Sequence, residues 1–395
     1  MKETYSKRIS GVKASAIRDI LKMMADREMI SFGGGNPASE SFPIDELVEI
    51  SNEIMTSNPL SVLEYGVTEG NALLKEEIIN FVNKNEKIVK ENDDILVTSG
   101  SQQIMDFVAK VLCNEDDLII CENPSFLGAL NAFKSNGAKL IGIPLEADGM
   151  NLGSLEKALQ LKPKPKFIYT IPNFQNPTGI TTSYAKRKKI YELAKKYEVI
   201  IVEDNPYGNL RYRGESIPSI KSFDTENIVI YAFSLSKIIA PGMRVAAMIG
   251  NQEIVEKCIL AKQVNDVHTN AWAQQVMAKF LNQTDMNNHL EKLKFIYKHK
   301  SSLMLDSIKK NFSPKVSYTV PEGGMFIWVT LPQHVNMVDF VKEAMKLKVA
   351  VVPGNTFYVE EDRTSNSFRM NFSTPSDEDI ITGCHILGEL TKKYC

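Results

Sequence analysis

The chain has 395 residues, of which 43% are hydrophobic and 24% are charged, and its formal net charge at pH 7 is −2. This balance lacks the basic excess with which proteins neutralise nucleic-acid phosphates, so we expect no nucleic-acid partner. We also expect neither a membrane span nor a signal peptide, because no apolar run of about 18 residues occurs and the N-terminus lacks an apolar segment.

The predicted elements begin with two helices. Residues 14–25 carry apolar side chains at helical spacing, which predicts a helix with one buried face. A break rich in glycine follows at 33–37, and a second helix is predicted from about Ile44 to Met55.

From about Asp94 onward, short apolar runs alternate with helical segments. Most of these runs are continuous, which is typical of strands covered on both faces. The runs are Ile95–Thr98, Leu118–Cys121, Leu140–Ile143, Phe167–Ile171, Val199–Val202, Ile228–Ala232 and Val245–Ile249. The alternation predicts an α/β fold whose mainly parallel seven-stranded sheet is flanked by helices.

Two long helical stretches are predicted next, at about 253–283 and 287–311. The C-terminal part then predicts a smaller α/β domain, with helices near 337–346 and 377–392. Its candidate strands are Val316–Thr319, Met325–Val329, Ala350–Val352 and Phe368–Phe372.

The pattern divides the chain into two domains. Residues 46–285 contain the seven apolar runs and form the large domain, and residues 286–395 form the small one. We expect residues 1–45, with the first helix, to join the small domain.

The cysteines and histidines indicate neither a disulfide framework nor a metal site. The five cysteines include no C-x-x-C pair and are odd in number, which favours a reducing, cytoplasmic location. The five histidines lack metal-ligand spacing, so we expect no bound metal.

One lysine stands out at the end of a predicted strand. Lys237 follows the run Ile228–Ala232, between Ser234 and Ser236 on one side and Arg244 on the other. Ligands of parallel α/β sheets gather at the carboxyl ends of strands, where a lysine can form an imine with an aldehyde cofactor. The serines and the arginine are suited to a phosphate.

Polar side chains follow two further strands. Asp204 ends the run 199–204, where a carboxylate can hold a protonated pyridine nitrogen, although capping of the next turn is the alternative. Asn173 and Asn176 follow Phe167–Ile171, and an amide there can donate to a phenolate oxygen or simply form an Asn-Pro turn. The strand-Gly-Ser-helix order at 95–103 predicts a phosphate seat at a helix N-terminus.

The segments described above, together with several others, resemble the fold type I pyridoxal-phosphate (PLP) aminotransferases. They occur in the same order as in that family and extend over nearly the whole chain. The resemblance is greatest to the 2-aminoadipate and kynurenine aminotransferase subgroup. The segments are SGSQQ (99–103), ENPSF (122–126), PNFQNPTG (172–179), VEDNPY (202–207), SLSK (234–237), PGMR (241–244), GGMF (323–326), VVPG (351–354) and SFRMNFS (367–373). The resemblance implies a homodimer with shared active sites. It also implies PLP as cofactor and a ping-pong transfer of an amino group between an L-amino acid and a 2-oxo acid.

The resemblance also implies a role for each residue of the cofactor site. Lys237 forms the Schiff base and moves the proton, Asp204 pairs with the pyridine nitrogen, and Tyr207 binds the phenolic oxygen together with Asn176. Phe126 takes the position of an aromatic residue, often tyrosine in the family, that stacks on the ring. The phosphate ligands implied are Ser101, Gln102, Ser234, Ser236, Arg244 and, from a neighbouring subunit, Tyr65.

The implied substrate residues are Arg369, Asn173, Gly35 and Arg18. Arg369 alternates with Phe368 and Met370, so it points away from the apolar face of its strand and can bind the substrate α-carboxylate as a planar fork. Arg18, on the predicted helix 14–25, is expected to bind the distal group of long acidic amino acids such as 2-aminoadipate or glutamate, with tolerance for aromatic ones.

Two alternative functions remain at this point. The same lysine, aspartate and arginine set serves PLP-dependent lyases and decarboxylases, so sequence discriminates poorly among these reactions. A PLP-binding regulatory module is less favoured, because such regulators carry a basic DNA-binding domain ahead of this part. Here only a short segment precedes Gly33, and the pI is 6.3.

Overall fold

The structure, a computed structural model, describes Ser6, Ile9 and residues 29–360 and 362–395. The predicted helix at 14–25, with Arg18, lies outside the described residues. The strands are β1 (Ile30–Ser31), β2 (Asp93–Thr98), β3 (Leu118–Asn123), β4 (Lys139–Glu146), β5 (Gly149–Met150), β6 (Phe167–Thr170), β7 (Ile200–Asn205), β8 (Val229–Ser234), β9 (Ala246–Asn251), β10 (Ser317–Tyr318), β11 (Phe326–Thr330), β12 (Val349–Ala350), β13 (Val352–Pro353) and β14 (Ser367–Asn371). The α-helices are α1 (Ile44–Ser57), α2 (Leu60–Leu63), α3 (Ala72–Asn83), α4 (Ser101–Leu112), α5 (Leu127–Ser135), α6 (Leu152–Leu159), α7 (Tyr184–Tyr197), α8 (Gln252–Gln263), α9 (Ala271–Gln283), α10 (Met286–Asn311), α11 (Met337–Lys346) and α12 (Asp377–Tyr394).

The large sheet has the strand order β2-β9-β8-β7-β6-β3-β4-β5. Strands β8, β7, β6, β3 and β4 are parallel neighbours, and β9 pairs antiparallel with both β8 and β2. All seven predicted apolar runs form strands of this sheet, so the mainly parallel α/β fold is confirmed. The two-residue strand β5, which pairs antiparallel with β4, is an addition that the sequence did not indicate.

The continuous apolar runs reflect burial on both faces of the sheet. Ile119 packs in the larger core cluster, which lies on one face, and the adjacent Ile120 packs in a separate cluster on the other. Successive side chains of a strand point to opposite faces, so a strand in this position needs an apolar residue at every step.

The parallel strands bring four polar loops to one edge of the sheet. Because β3, β6, β7 and β8 are adjacent and parallel, their carboxyl ends lie side by side. The segments that follow them are 124–126, 171–176, 206–207 and 235–237. This edge is therefore where the predicted site residues converge.

The predicted helical stretch 253–283 is two helices, α8 and α9, separated by residues 264–270. Val267 in this loop has a left-handed backbone (φ 67°), and the Asn270 side chain caps α9 by accepting from the backbone N–H of Ala273. A helix N-cap of this kind requires the chain to leave helical geometry just before it. The stretch predicted at 287–311 is the single helix α10.

The C-terminal part holds an antiparallel sheet of order β10-β11-β14-β13, with α11 and α12. The predicted strand Ala350–Val352 divides between two sheets, because β12 pairs parallel with β1 and β13 pairs antiparallel with β14. Pairing with β1 attaches the segment around Ile30 to this part of the chain. The proposed domain boundaries themselves remain a prediction.

Candidate active site

A cavity of about 280 Å³ lies at the carboxyl ends of β3, β6, β7 and β8. The predicted site residues that line it are Gly35, Ser101, Gln102, Phe126, Asn176, Asp204, Tyr207, Ser234, Ser236, Lys237, Arg244 and Arg369. Further lining residues, which the sequence did not single out for the site, are Ile171, Pro206, Pro241 and Phe326.

Lys237 has the environment of a nucleophilic amine. Its Nζ donates a hydrogen bond to the Gly35 carbonyl oxygen at 2.8 Å. Burial, together with the positive charges of Arg244 and Arg369, lowers the pKa of Lys237 to about 8. A substantial fraction of this amine is therefore neutral near physiological pH, which both imine formation and proton abstraction require.

Asp204 presents one free carboxylate oxygen. Its Oδ2 accepts a hydrogen bond from the Tyr169 hydroxyl at 2.8 Å, whereas Oδ1 is buried without a hydrogen-bond partner. Burial raises the pKa of the Asp204 carboxyl to about 7, opposed by the Tyr169 hydrogen bond and by Lys237. A buried carboxylate with an unfilled acceptor fits a cationic N–H group, such as the protonated pyridine nitrogen of PLP.

The part of the cavity lined by Ser101, Gln102 and Arg244 fits a phosphate. Helix α4 begins at Ser101, and the preceding Gly100 (φ 85°) leaves the helix start without a side-chain cap. A Cβ atom at Gly100 would collide with Nη2 of Arg244 in its present position, and the positive φ of Gly100 also favours glycine there. Backbone N–H groups, the helix dipole and a guanidinium together are suited to bind an anion.

Arg369 is a buried cation in the wall of the cavity. Nη1 donates to Asn176 Oδ1 and Nη2 to the Gly33 carbonyl oxygen, both at 2.8 Å, while Nε is buried without a partner. The guanidinium carbon lies 4.3 Å from the centre of the Phe326 ring, a cation–π contact. These acceptors are neutral, and burial lowers the pKa of Arg369 to about 10, so a substrate carboxylate would supply the counter-charge that it lacks.

Among the predicted site residues that the structure describes, two do not line the cavity. Tyr65 is 91% exposed, and Asn173 is buried elsewhere, donating to Asn205 Oδ1 at 2.9 Å and accepting from Arg187 Nη2 at 2.6 Å. This placement does not support a substrate contact by Asn173. Arg18 lies outside the described residues.

Glu122 and Gln175 connect the two loops that carry Phe126 and Asn176. Gln175 Nε2 donates to Glu122 Oε2 at 3.1 Å and to the Pro124 carbonyl oxygen at 2.9 Å. Burial raises the pKa of Glu122 to about 7. Both residues belong to the motifs 122–126 and 172–179, but no sequence spacing indicates that their side chains point towards each other.

Two features are absent from the described residues, which are 29–360 and 362–395 with Ser6 and Ile9. This part of the chain contains no group of three or more His, Cys, Asp and Glu side chains arranged to hold a metal ion. None of its helices combines the length and the hydropathy needed to cross a bilayer.

Comparison with known proteins adds a family match. Residues 27–387 match the family model of the class I and II aminotransferases. The aromatic-amino-acid aminotransferase 1 of Thermococcus litoralis is 38% identical over 393 residues, which cover 98% of this chain and 94% of that protein.

Two solved structures show the same fold. The kynurenine aminotransferase of Pyrococcus horikoshii, in complex with PMP, has a TM-score of 0.95 and 37% identity, covering 99% of this chain and 98% of that one. The alpha-aminoadipate aminotransferase of Thermus thermophilus, complexed with N-(5'-phosphopyridoxyl)-L-leucine, has a TM-score of 0.92 and 32% identity, covering 100% of this chain and 98% of that one.

Proposed function

The chain belongs to the class I and II aminotransferase family, and we propose that it transfers the amino group of L-amino acids with long aromatic or acidic side chains to a 2-oxo acid. It is a PLP-dependent aminotransferase, as its relatives are. The observation that carries the residue assignments is the cavity that the Lys237 amine lines together with the Asp204 carboxylate and the Arg369 guanidinium.

When bound, PLP supplies an aldehyde and an electron-withdrawing ring. Asp204 Oδ1 would accept from the ring nitrogen, and Asn176 and Tyr207 would bind the phenolic oxygen. Phe126 would stack on the ring, which excludes water from that face. The start of α4, with Ser101 and Gln102, and the side chains of Ser234, Ser236 and Arg244 would hold the phosphate.

Lys237 is the proton carrier of this mechanism. As a free amine, Nζ of Lys237 would take the proton from the substrate α-carbon and later return it as an acid. A pKa near 8 allows both directions close to neutral pH, because general acid–base catalysis is efficient when the pKa is near the operating pH.

Arg369 explains how one site serves both half-reactions. Amino acids and 2-oxo acids share a carboxylate next to the reacting carbon, so one guanidinium fork orients either of them. Arg369 contacts Phe326 and lines the same cavity as Lys237, so it would hold the reacting carbon near the Lys237 amine.

The remaining residues of the cavity wall support the proposed range of amino-acid donors. Ile171 and Phe326 offer apolar surface to a long side chain. Among the cavity-lining residues that the structure describes, the cations are Lys237, Arg244 and Arg369, and each already has a role. A distal carboxylate therefore requires a cation from another part of the chain or from a partner subunit, and Arg18 is our candidate.

We expect Arg18→Ala to lower kcat/KM selectively for 2-aminoadipate and glutamate. The variant would lose the binding free energy of an ion pair between Arg18 and the distal carboxylate of the substrate. Leucine and phenylalanine have no distal carboxylate, so their kcat/KM should not change. The measurement is a half-reaction screen of these four donors, following the absorbance of the bound cofactor. An equal effect on all four, or no effect, would exclude Arg18 as the specificity residue.

We further propose that the enzyme is a homodimer in which Tyr65 binds the cofactor phosphate of the partner subunit. Tyr65 is 91% exposed although it is aromatic. Exposed apolar side chains surround it in sequence: Leu60, Leu63 and Val67. Several exposed apolar side chains so close in sequence are typical of an interface.

A mixed dimer tests the shared site. One subunit carries Tyr65→Ala and the other Lys237→Ala, and the mixed species is isolated through two different affinity tags. With Tyr65 acting across the interface, one site receives both native residues, so we expect about half the parent activity. If Tyr65 acts within its own subunit, the mixed dimer will be no more active than half of the Tyr65→Ala protein.

We also expect a cytoplasmic location. All five cysteines are free thiols in the structure, which fits a reducing compartment. Fractionation of the native host, with the enzyme detected by its activity, is the direct measurement.

A further inference from the structure

We propose that Tyr169 is a positioning residue for Asp204: it holds one carboxylate oxygen so that the other faces the ring nitrogen of PLP. The inference rests on the proposed role of Asp204. Tyr169 does not line the cavity, so it acts through the aspartate.

The register of the sheet places the two side chains together. Tyr169 in β6 pairs with Val202 in the parallel strand β7. Asp204 is two residues further along β7, so its side chain lies on the same face of the sheet as that of Tyr169. The hydroxyl of Tyr169 donates to Oδ2 of Asp204 at 2.8 Å.

The phenol is itself held rigidly. Tyr169 is fully buried, and its ring packs edge-to-face against Phe133 in α5, with the ring centroids 5.3 Å apart. Its position is thus set by the core rather than by the site. A carboxylate that bonds to this fixed donor loses the freedom to rotate, which leaves Oδ1 as its one unfilled acceptor.

The same hydrogen bond favours the charged form of Asp204. Burial raises the pKa of this carboxyl to about 7, and the Tyr169 hydrogen bond opposes that rise. Burial also raises the pKa of Tyr169, so the phenol stays protonated and acts as a donor. Without the hydroxyl, Asp204 would take up a proton more readily, and a neutral carboxyl is a weaker partner for a pyridinium.

The test is Tyr169→Phe, which removes only the hydroxyl. Apoenzyme is titrated with PLP and, separately, with 1-deazapyridoxal phosphate, an analogue in which a C–H group replaces the ring nitrogen. We expect the dissociation constant for PLP to rise about tenfold, the effect of one hydrogen bond to a charged group. For the analogue, we expect Tyr169→Phe and the parent to be indistinguishable.

Two further variants distinguish a failure of the positioning role of Tyr169 from a failure of the proposed role of Asp204. Tyr231→Phe in β8 removes another buried hydroxyl, which bonds to Asn205 instead of Asp204, and should leave both dissociation constants unchanged. Asp204→Asn should weaken PLP but not the analogue; if it does not, the proposed role of Asp204 itself fails. A different outcome is that Asp204→Asn weakens PLP alone, whereas Tyr169→Phe weakens PLP and the analogue equally or weakens neither. That outcome overturns only the positioning role of Tyr169.

Discussion

Lys237→Ala should eliminate both transamination and the cofactor bond that borohydride traps. The variant lacks the amine that forms the imine and also the base that moves the α-proton. Loss of general acid–base catalysis alone lowers kcat by about 10²–10⁴-fold. The measurements are steady-state kinetics and mass spectrometry of the borohydride-treated holoenzyme, which should show the phosphopyridoxyl adduct on Lys237 in the parent.

Lys189→Ala is the matched control. Lys189 is an exposed lysine of α7, 51% accessible and paired with Glu192, so its removal should change neither the adduct nor the rate. Parent-like turnover by Lys237→Ala, or an adduct on another lysine of the parent, would remove the basis of the mechanism.

Arg369→Lys should weaken every amino-acid substrate. Lysine keeps the positive charge but cannot form two parallel hydrogen bonds to one carboxylate. Loss of one charge-assisted bond, worth about 1.5–3 kcal/mol, corresponds to a fall in kcat/KM of about 10- to 100-fold. Kinetics on aromatic, acidic and aliphatic donors measure whether this loss is uniform, as expected for a group that binds the part common to all of them.

Arg363→Lys serves as the control for Arg369→Lys. Arg363 also stacks on an aromatic ring, that of Tyr358 at 4.2 Å, but its side chain is 46% exposed and does not line the cavity. The Arg363→Lys variant should therefore keep the kcat and KM of the parent enzyme. A loss confined to some donors in Arg369→Lys would assign Arg369 to side-chain recognition instead of the α-carboxylate.

The large sheet was predictable because a strand that is buried on both faces needs an apolar residue at nearly every position. The runs Phe167–Ile171 and Ile228–Ala232 are apolar at nearly every position, and both form central strands. Strand pairing was harder to predict, since it depends on distant segments. The run Ala350–Val352 is one apolar stretch in sequence, yet its halves pair with Ile30–Ser31 and with β14.

The site was predictable where the chemistry requires an unusual residue at a strand end. Lys237 and Asp204 are such residues, and both line the cavity. The surroundings of Tyr169 and Asn173 could not be predicted from the sequence. Tyr169 reads as one more large residue of a buried strand, and the asparagine at 173 looks as suitable as Asn176 although its amide faces Asn205 and Arg187.

The central claim, amino-group transfer at this cavity, is tested most directly by a single turnover of the PLP-loaded enzyme. The enzyme is mixed with ¹⁵N-labelled L-phenylalanine or L-2-aminoadipate without an oxo acid, and a 2-oxo acid is added afterwards. We predict that one equivalent of oxo acid forms per site, that the label stays on the enzyme-bound cofactor, and that it then appears in the new amino acid. Release of carbon dioxide or free labelled ammonia with continued turnover would instead identify a decarboxylase or a lyase and contradict the account.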